Sequence, residues 1–238
     1  MRRLRPQSRH HSNGPRGQQT ALAILTAARD VLVEQGFPRL TMRNIASRAG
    51  MTVGHLSYYY ANKEDLLHDL IDAVIEGYVE EFDRISEDSG RTAESRLEEL
   101  MRFIIGDLAT PETTAFFPAL WAHSIHDEFA ARELNHMYEV ERAVFHRLIA
   151  EIRPDLGKRD CELLALFMTA SIEGHTVFIG HRRARRSSAS SIANITVVSM
   201  LSLVRTILAD EISGASAPVR AVRRTSAVRR ASRNNGAG

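Results

Sequence analysis

The chain has little of what would commit it to chemistry or to an oxidising compartment. It carries one cysteine in 238 residues, Cys161, so no internal disulfide can form and a reducing cytoplasm is the expected setting. Cys161 lies in an apolar run and reads as a packing residue. No phosphate-cradling glycine loop, nucleophile elbow, zinc-protease helix or cysteine pair occurs, which argues against an enzyme and against a cofactor. His123 and His126, three apart with Asp127 adjacent, lack a third clear ligand, so no metal site is assigned. The longest apolar run, Leu163 to Ile172, is short for a membrane span and is closed by Glu173. Residues 1–16 are basic and polar with no apolar stretch behind them, unlike a leader, so no membrane partner is expected.

The charge that is present is unevenly placed. A net +2 divides into +8 over residues 1–63, −12 over 64–212 and +6 over 213–238. A basic front on an acidic body suits a head that meets phosphates and a body that does not. With 44% hydrophobic and 25% charged residues, the composition allows a soluble core of one or two domains.

The most informative stretch is Thr41 to Lys63. Thr41 is placed to cap a short helix whose Met42, Ile45, Ala46 and Ala49 share one face. Gly50 supplies a sharp exit, and Thr52 caps a second helix over Val53–Tyr59. That helix buries little beyond Leu56 and Tyr60, so Val53, Gly54, His55, Ser57, Tyr58 and Tyr59 face outward. A surface helix without a carboxylate, followed by Asn62 and Lys63, suits the DNA major groove. The pattern is a helix-turn-helix over residues 41–60.

At these residues the sequence resembles the TetR family of transcriptional regulators. The resemblance rests on the alanine-rich stretch AILTAARDVLVEQG, Phe37, Thr41, the Ile45-Ala46 and Ala49-Gly50 pairs, and Asn-Lys-Glu-Asp-Leu-Leu over residues 62–67. It implies a DNA-binding surface of Thr41, Arg43, Thr52, Val53, Gly54, His55, Ser57, Tyr58, Tyr59 and Lys63, with Arg43 able to reach a base and Lys63 at a phosphate. The family places a tyrosine where this chain has Ser57 and a phenylalanine where it has Tyr60.

The remaining pattern predicts an all-α fold of about nine helices. Residues 1–17 read as a disordered basic arm and 213–238 as a disordered basic Ala/Ser/Arg tail. The DNA-binding domain is expected over 18–78, opening with a helix over Gln18–Gln35 whose stripe is Leu22, Leu25, Ala28 and Leu32. A ligand-binding and dimerisation domain is expected over 79–212. The helix after Lys63 should run to about Ile85 and link the two parts. Further helices are predicted over Ala93–Ala109, Thr113–His123, Glu128–Ile152, Arg159–His181 and Ser190–Ile212. The last two are apolar around most of their circumference, which is best satisfied by the body on one side and a second subunit on the other. Ala170 and Gly174, four apart, are read as permitting close backbone approach.

The segment Phe116 to Asp127 resembles the ligand-binding body of TetR regulators that include the choline/betaine-responsive type, across about residues 95–210. That resemblance implies a cavity among the linking, Trp-bearing and eighth helices, with Phe103, Trp121, His126, His175 and Phe178 as candidate liners. The resulting expectation is a repressor in a bacterial cytoplasm, acting at the nucleoid. It would bind an inverted repeat in double-stranded DNA as a homodimer and answer to a small-molecule effector. The alternative is a sequence-tolerant helical module that coats DNA or binds protein without an effector.

Overall fold

The computed structural model describes Leu4 and residues 14–214. Most of the expected arm and tail, residues 1–3, 5–13 and 215–238, lies outside the described residues. Among the described residues there is no strand, and eleven α-helices follow one another. They are α1 (Pro15–Gln35), α2 (Met42–Arg48), α3 (Val53–Tyr59), α4 (Lys63–Ser86), α5 (Ala93–Leu108) and α6 (Pro111–Ser124), then α7 (Glu128–Ile152), α8 (Lys158–Glu173), α9 (His175–Ile179), α10 (Ala189–Thr206) and α11 (Ala209–Ser213).

Local chemistry sets most of these boundaries. Thr41, Thr52, Asn62, Thr92, Thr110 and Asp127 each accept a hydrogen bond from a backbone N–H in the first turn of α2 to α7 respectively. A cap of this kind stabilises its helix by about 1 kcal/mol, because it satisfies one of the donors left without an intrahelical acceptor.

The head is a three-helix unit of α1, α2 and α3, against which the first turns of α4 pack. α1 begins at Pro15, so residues 15–17, which the sequence pattern leaves in the arm, are helical. Its buried stripe is Ala21, Ile24, Leu25, Ala28, Val31 and Leu32. Leu22 lies one step off that stripe and is exposed, because the helices that pack on α1, namely α2, α4 and α6, leave its side of the helix uncovered.

α4 is one unbroken rod whose first half buries Leu66, Leu67, Leu70 and Ile71, and whose second half buries Val74, Ile75, Tyr78, Phe82 and Ile85. Its second half packs against α5 and α7, so the same rod belongs to head and body. α7 runs beside α4 and α8 returns antiparallel to α7, since Tyr138 and Glu141 on α7 meet Glu173 and Thr169 on α8.

The expected helices over 159–181 and 190–212 are each broken in two. Gly174 interrupts the first, and His175 turns its Nδ1–H onto the Ser171 carbonyl at 2.9 Å, the oxygen its own amide would take in a continuous helix. The second breaks where Ile207 adopts extended backbone, ψ 140°. Gly174 does not serve close helix packing, because a Cβ there would meet only its own segment at 3.4 Å. Gly180 does: a Cβ would fall 2.6 Å from the Thr176 carbonyl and 3.0 Å from Thr114 Oγ1 of α6. Two stretches, Lys158–Ile179 and Arg186–Thr206, are long and apolar enough to cross a membrane by length and composition. Each packs one flank on the body and exposes the other.

Candidate DNA-binding interface and effector region

α2 and α3 are held at a fixed turn by short-range bonds. The Met51 N–H donates to the Ala46 carbonyl at 3.0 Å, and Gly50 sits at φ +67°, where a side chain would be strained. Thr52 Oγ1 then accepts from the His55 N–H at 3.1 Å and starts α3. Leu56 and Tyr60 are buried, while Thr52, Val53, Gly54, His55, Ser57 and Tyr58 are exposed and Tyr59 is half-buried. The Tyr60 hydroxyl donates to Asp69 at 3.0 Å, so α3 is tied to α4 by a buried polar bond. Burial and the Asp69 charge raise the Tyr60 hydroxyl far above its ordinary range, which keeps it a donor.

Arg43 is exposed beside this face, and Thr41, exposed at the start of α2, spends its hydroxyl oxygen on the Asn44 N–H at 3.2 Å. Lys63 is half-buried with Nζ 5.5 Å from the centre of the Phe37 ring, a cation–π contact that steadies it at the foot of α3. Arg48 is held by Glu34 and Asp30 and so is less available to a phosphate. Arg39 is exposed in the turn before α2 and forms no ion pair among the described residues; sequence reasoning passed over it. The signal was there, since no acidic residue occurs between Glu34 and Glu64.

The head meets the body at a cluster of rings and charges. The Phe37 and His123 rings lie 5.1 Å apart. His68 of α4 stacks on Phe129 at 4.2 Å and reaches Asp127 at 3.3 Å, while His123 lies 3.5 Å from the same carboxylate oxygen. Burial opposes the Asp127 charge, but the Ala130 N–H and the two imidazoles outweigh it and hold the carboxyl below its usual range.

The five candidate effector residues do not converge on one cavity. Phe103 packs on Tyr78 and Phe82 with ring centres 6.2 Å apart in each case, and it borders a groove lined by Arg84, Glu99 and Arg102. Trp121 is half-buried and donates its indole N–H to the Tyr138 hydroxyl at 3.0 Å. His126 is exposed in the turn between α6 and α7. Only His175 and Phe178 share a cleft, one of about 570 Å³ between α8, α9 and α10.

Behind Trp121 lies a polar centre that periodicity did not reveal. Glu141, 1% exposed, accepts from the Thr169 hydroxyl at 2.9 Å. Burial pushes its carboxyl up to about 7, although Thr169 and Arg142 pull it back. Glu173 is pushed up to about 8 by burial and by the neighbouring Glu141 charge, with the Tyr138 hydroxyl opposing. One level along, Tyr78 and Thr113 both donate to Asp107, Thr113 at 2.6 Å.

This architecture has known counterparts. Residues 24–70 match the family model of bacterial regulatory proteins of the tetR family, and residues 93–202 match that of the C-terminal part of BetI-type transcriptional repressors. The chain belongs to the TetR family of transcriptional regulators. Its N-terminal helix-turn-helix and helical C-terminal domain are those of a TetR-type DNA-binding regulator. A putative transcriptional regulator from Pseudomonas aeruginosa PAO1 superposes with TM-score 0.64 at 20% identity, over 86% of this chain and 95% of that one. A putative TetR-family regulator from Rhodococcus sp. gives 0.63 at 20%, over 79% and 100%. FadR from Bacillus subtilis, solved in complex with stearoyl-CoA, gives 0.59 at 18%, over 78% and 97%. At these identities the likeness is one of fold. No curated protein matches the sequence.

Proposed function

We propose that this TetR-family chain is a ligand-responsive repressor of the bacterial cytoplasm that binds an inverted-repeat operator as a homodimer. The observation that carries the reading is the outer face of α3: capped by Thr52, exposed from Val53 to Tyr58 except at Leu56, and free of carboxylates. Such a face enters a major groove without repelling phosphates. Thr41, Thr52, Ser57, Tyr58, Tyr59 and Lys63 position the head on the backbone, while Arg43, Val53, Gly54 and His55 meet base edges. The dimer reading is supported by apolar side chains standing in water on α8 and α10, among them Leu166, 51% exposed, and Val198, 64% exposed. An effector in the body would act by favouring one of two orientations of α4, whose His68 touches Asp127 and whose first turns carry the head.

Genomic binding-site mapping, followed by anisotropy titration on the recovered site and on a scrambled control, tests the reading. Sequence preference is expected; equal affinity for every sequence would refute it. Arg43→Ala should cost roughly 1–3 kcal/mol and relax preference at one position. Lys63→Ala should weaken all sequences alike and lower the slope of log affinity against log salt by about one. Identical, sequence-blind losses for both would sink the division of roles.

Leu166→Glu or Val198→Glu should raise the dimer dissociation constant roughly a hundredfold, because each buries an unpaired carboxylate at the interface. Both side chains are exposed in a single chain, so helicity by circular dichroism should be retained. Unchanged dimers by analytical ultracentrifugation for both variants would rule out this face.

A further inference from the structure

The cleft that holds His175 and Phe178 has the composition of a binding site for one kind of molecule. At about 570 Å³ it falls in the range that encloses a small organic ligand. Phe178, Ile179 and Ile192 form an apolar wall, and Phe178 is 69% exposed. His175 adds ring surface and no free polar atom. Its Nδ1 is used on the Ser171 carbonyl, and its Nε2 lies 2.7 Å from Thr196 Oγ1, which donates to it in this tautomer.

Charge at the mouth comes from cations alone, beside the hydroxyl-bearing Ser171 and Ser188. Arg185 lines the cleft, and Arg182, Arg183 and Arg186 flank it in the loop before α10; all four are exposed and form no ion pair among the described residues. Several other arginines of the acidic body are engaged by carboxylates: Arg84, Arg91 and Arg96 by Glu99, Glu99 and Glu151, and Arg102, Arg153 and Arg205 by Glu98, Asp155 and Glu94. Arg147, bound to the Ser86 hydroxyl, and Arg159 form no ion pair among the described residues either, but they stand singly and line no cleft with an apolar wall. Four cations within five consecutive residues repel one another unless an anion joins them. The loop is also anchored. The His181 N–H donates to Thr114 Oγ1 at 2.9 Å, Gly180 admits the close approach to α6, and Arg182 is held at φ +60°. His123, in the last turn of α6, lies against Phe37 of the head.

We propose that this cleft binds a single-chain amphiphile with an anionic head, its acyl chain along Phe178, Ile179 and Ile192 and its carboxylate or phosphate among Arg182, Arg183, Arg185 and Arg186. The proposal rests on the effector-responsive reading above and names the effector's chemical class. The coupling route is α6: its first turn is tied to the arginine loop and its last turn touches the head. The exposed apolar side chains of the proposed dimer face, Leu163, Leu166 and Phe167 of α8 and Ile195 and Val198 of α10, lie on the same two helices as the cleft and away from the arginine loop in sequence.

Calorimetric titration of the full chain with laurate, dodecyl phosphate, dodecyltrimethylammonium, acetate and inorganic phosphate, all below micelle-forming concentration, tests this. Laurate and dodecyl phosphate are expected to bind, the cation of equal chain length to bind roughly tenfold more weakly or less, and the two short anions not to bind. The R182A/R183A/R185A/R186A variant should lose roughly tenfold or more for both amphiphilic anions, as should Phe178→Ser, with unchanged helicity. Equal affinity for cationic and anionic chains, or binding indifferent to both variants, overturns the site. So does an arginine variant that lowers only the salt slope for DNA, or only adhesion to phosphatidylglycerol vesicles, with no laurate bound by the wild type. Laurate bound in the cleft without releasing operator DNA would instead remove the effector reading and leave the site. DNA released by another compound while laurate is inert would remove the site and leave the effector reading.

Discussion

Five base pairs inserted at the centre of the operator are expected to bring affinity down to the non-specific level. A two-fold dimer presents two α3 helices related by symmetry, so its DNA must present two half-sites on one face, about 34–36 Å or one helical turn apart. Five base pairs are half a turn and carry one half-site to the far side of the duplex. Each head is held by α1 packed on α6, by α4 running unbroken into the body, and by the buried Tyr60–Asp69 bond. Neither head can swing half a turn without breaking those contacts. The loss should therefore span the gap between specific and non-specific binding, roughly a thousandfold or more. Anisotropy titration gives the number, and footprinting should show one protected half-site or none. Undiminished binding would mean that the heads are not a rigid, symmetry-related pair.

What the sequence revealed divides along the range of the interactions concerned. The helix-turn-helix was legible because its determinants lie within a few residues of one another: Thr41 and Thr52 as caps, Gly50 at a positive φ, and Leu56 and Tyr60 as the buried side of α3. Expected and observed exposure agree along α3 except at Tyr59, expected to face outward and half-buried in the structure. The rod of α4 was legible for the same reason, through its continuous apolar stripe, while its Asn62 cap is a finding of the structure. The effector region was not, because its neighbours are remote in sequence. Trp121 meets Tyr138, Glu141 meets Thr169, and Phe37 meets His123, pairings that only helix packing decides. Phe103 and Phe178 have the same apolar periodicity, yet one packs on the α4 rings and the other stands in water. A period reports which residues share a face and is silent on what covers it. The break at Gly174 was missed on related grounds, since glycine is tolerated within helices and here the His175 side chain tips the balance.

The buried carboxylates make the fold sensitive to pH in a direction opposite to that of a paired surface acid. Glu141 and Glu173 ionise at about 7 and about 8 in the folded chain, against an ordinary value of 4.5 for each. The native state therefore holds more protons than the unfolded state between pH 4.5 and 8. Stability falls as pH rises wherever the native state binds more protons. The contribution is fully present below 4.5, declines through the window, and is gone above the higher folded value. At 1.36 kcal/mol per unit the two shifts correspond to roughly 3 and 5 kcal/mol at pH 8.5, of which mutual repulsion between the two charges is a shared part. Glutamine keeps the shape and can still accept from Thr169, but never ionises. Glu141→Gln and Glu173→Gln should therefore raise the melting temperature above wild type at pH 8.5, with the advantage shrinking to about nothing near pH 4.5. Thermal unfolding followed by circular dichroism across that range, in wild type and both variants, checks the sign. A wild type whose stability rises from pH 5 to 8.5 relative to the variants would show that the carboxylates are ionised and compensated in the folded protein.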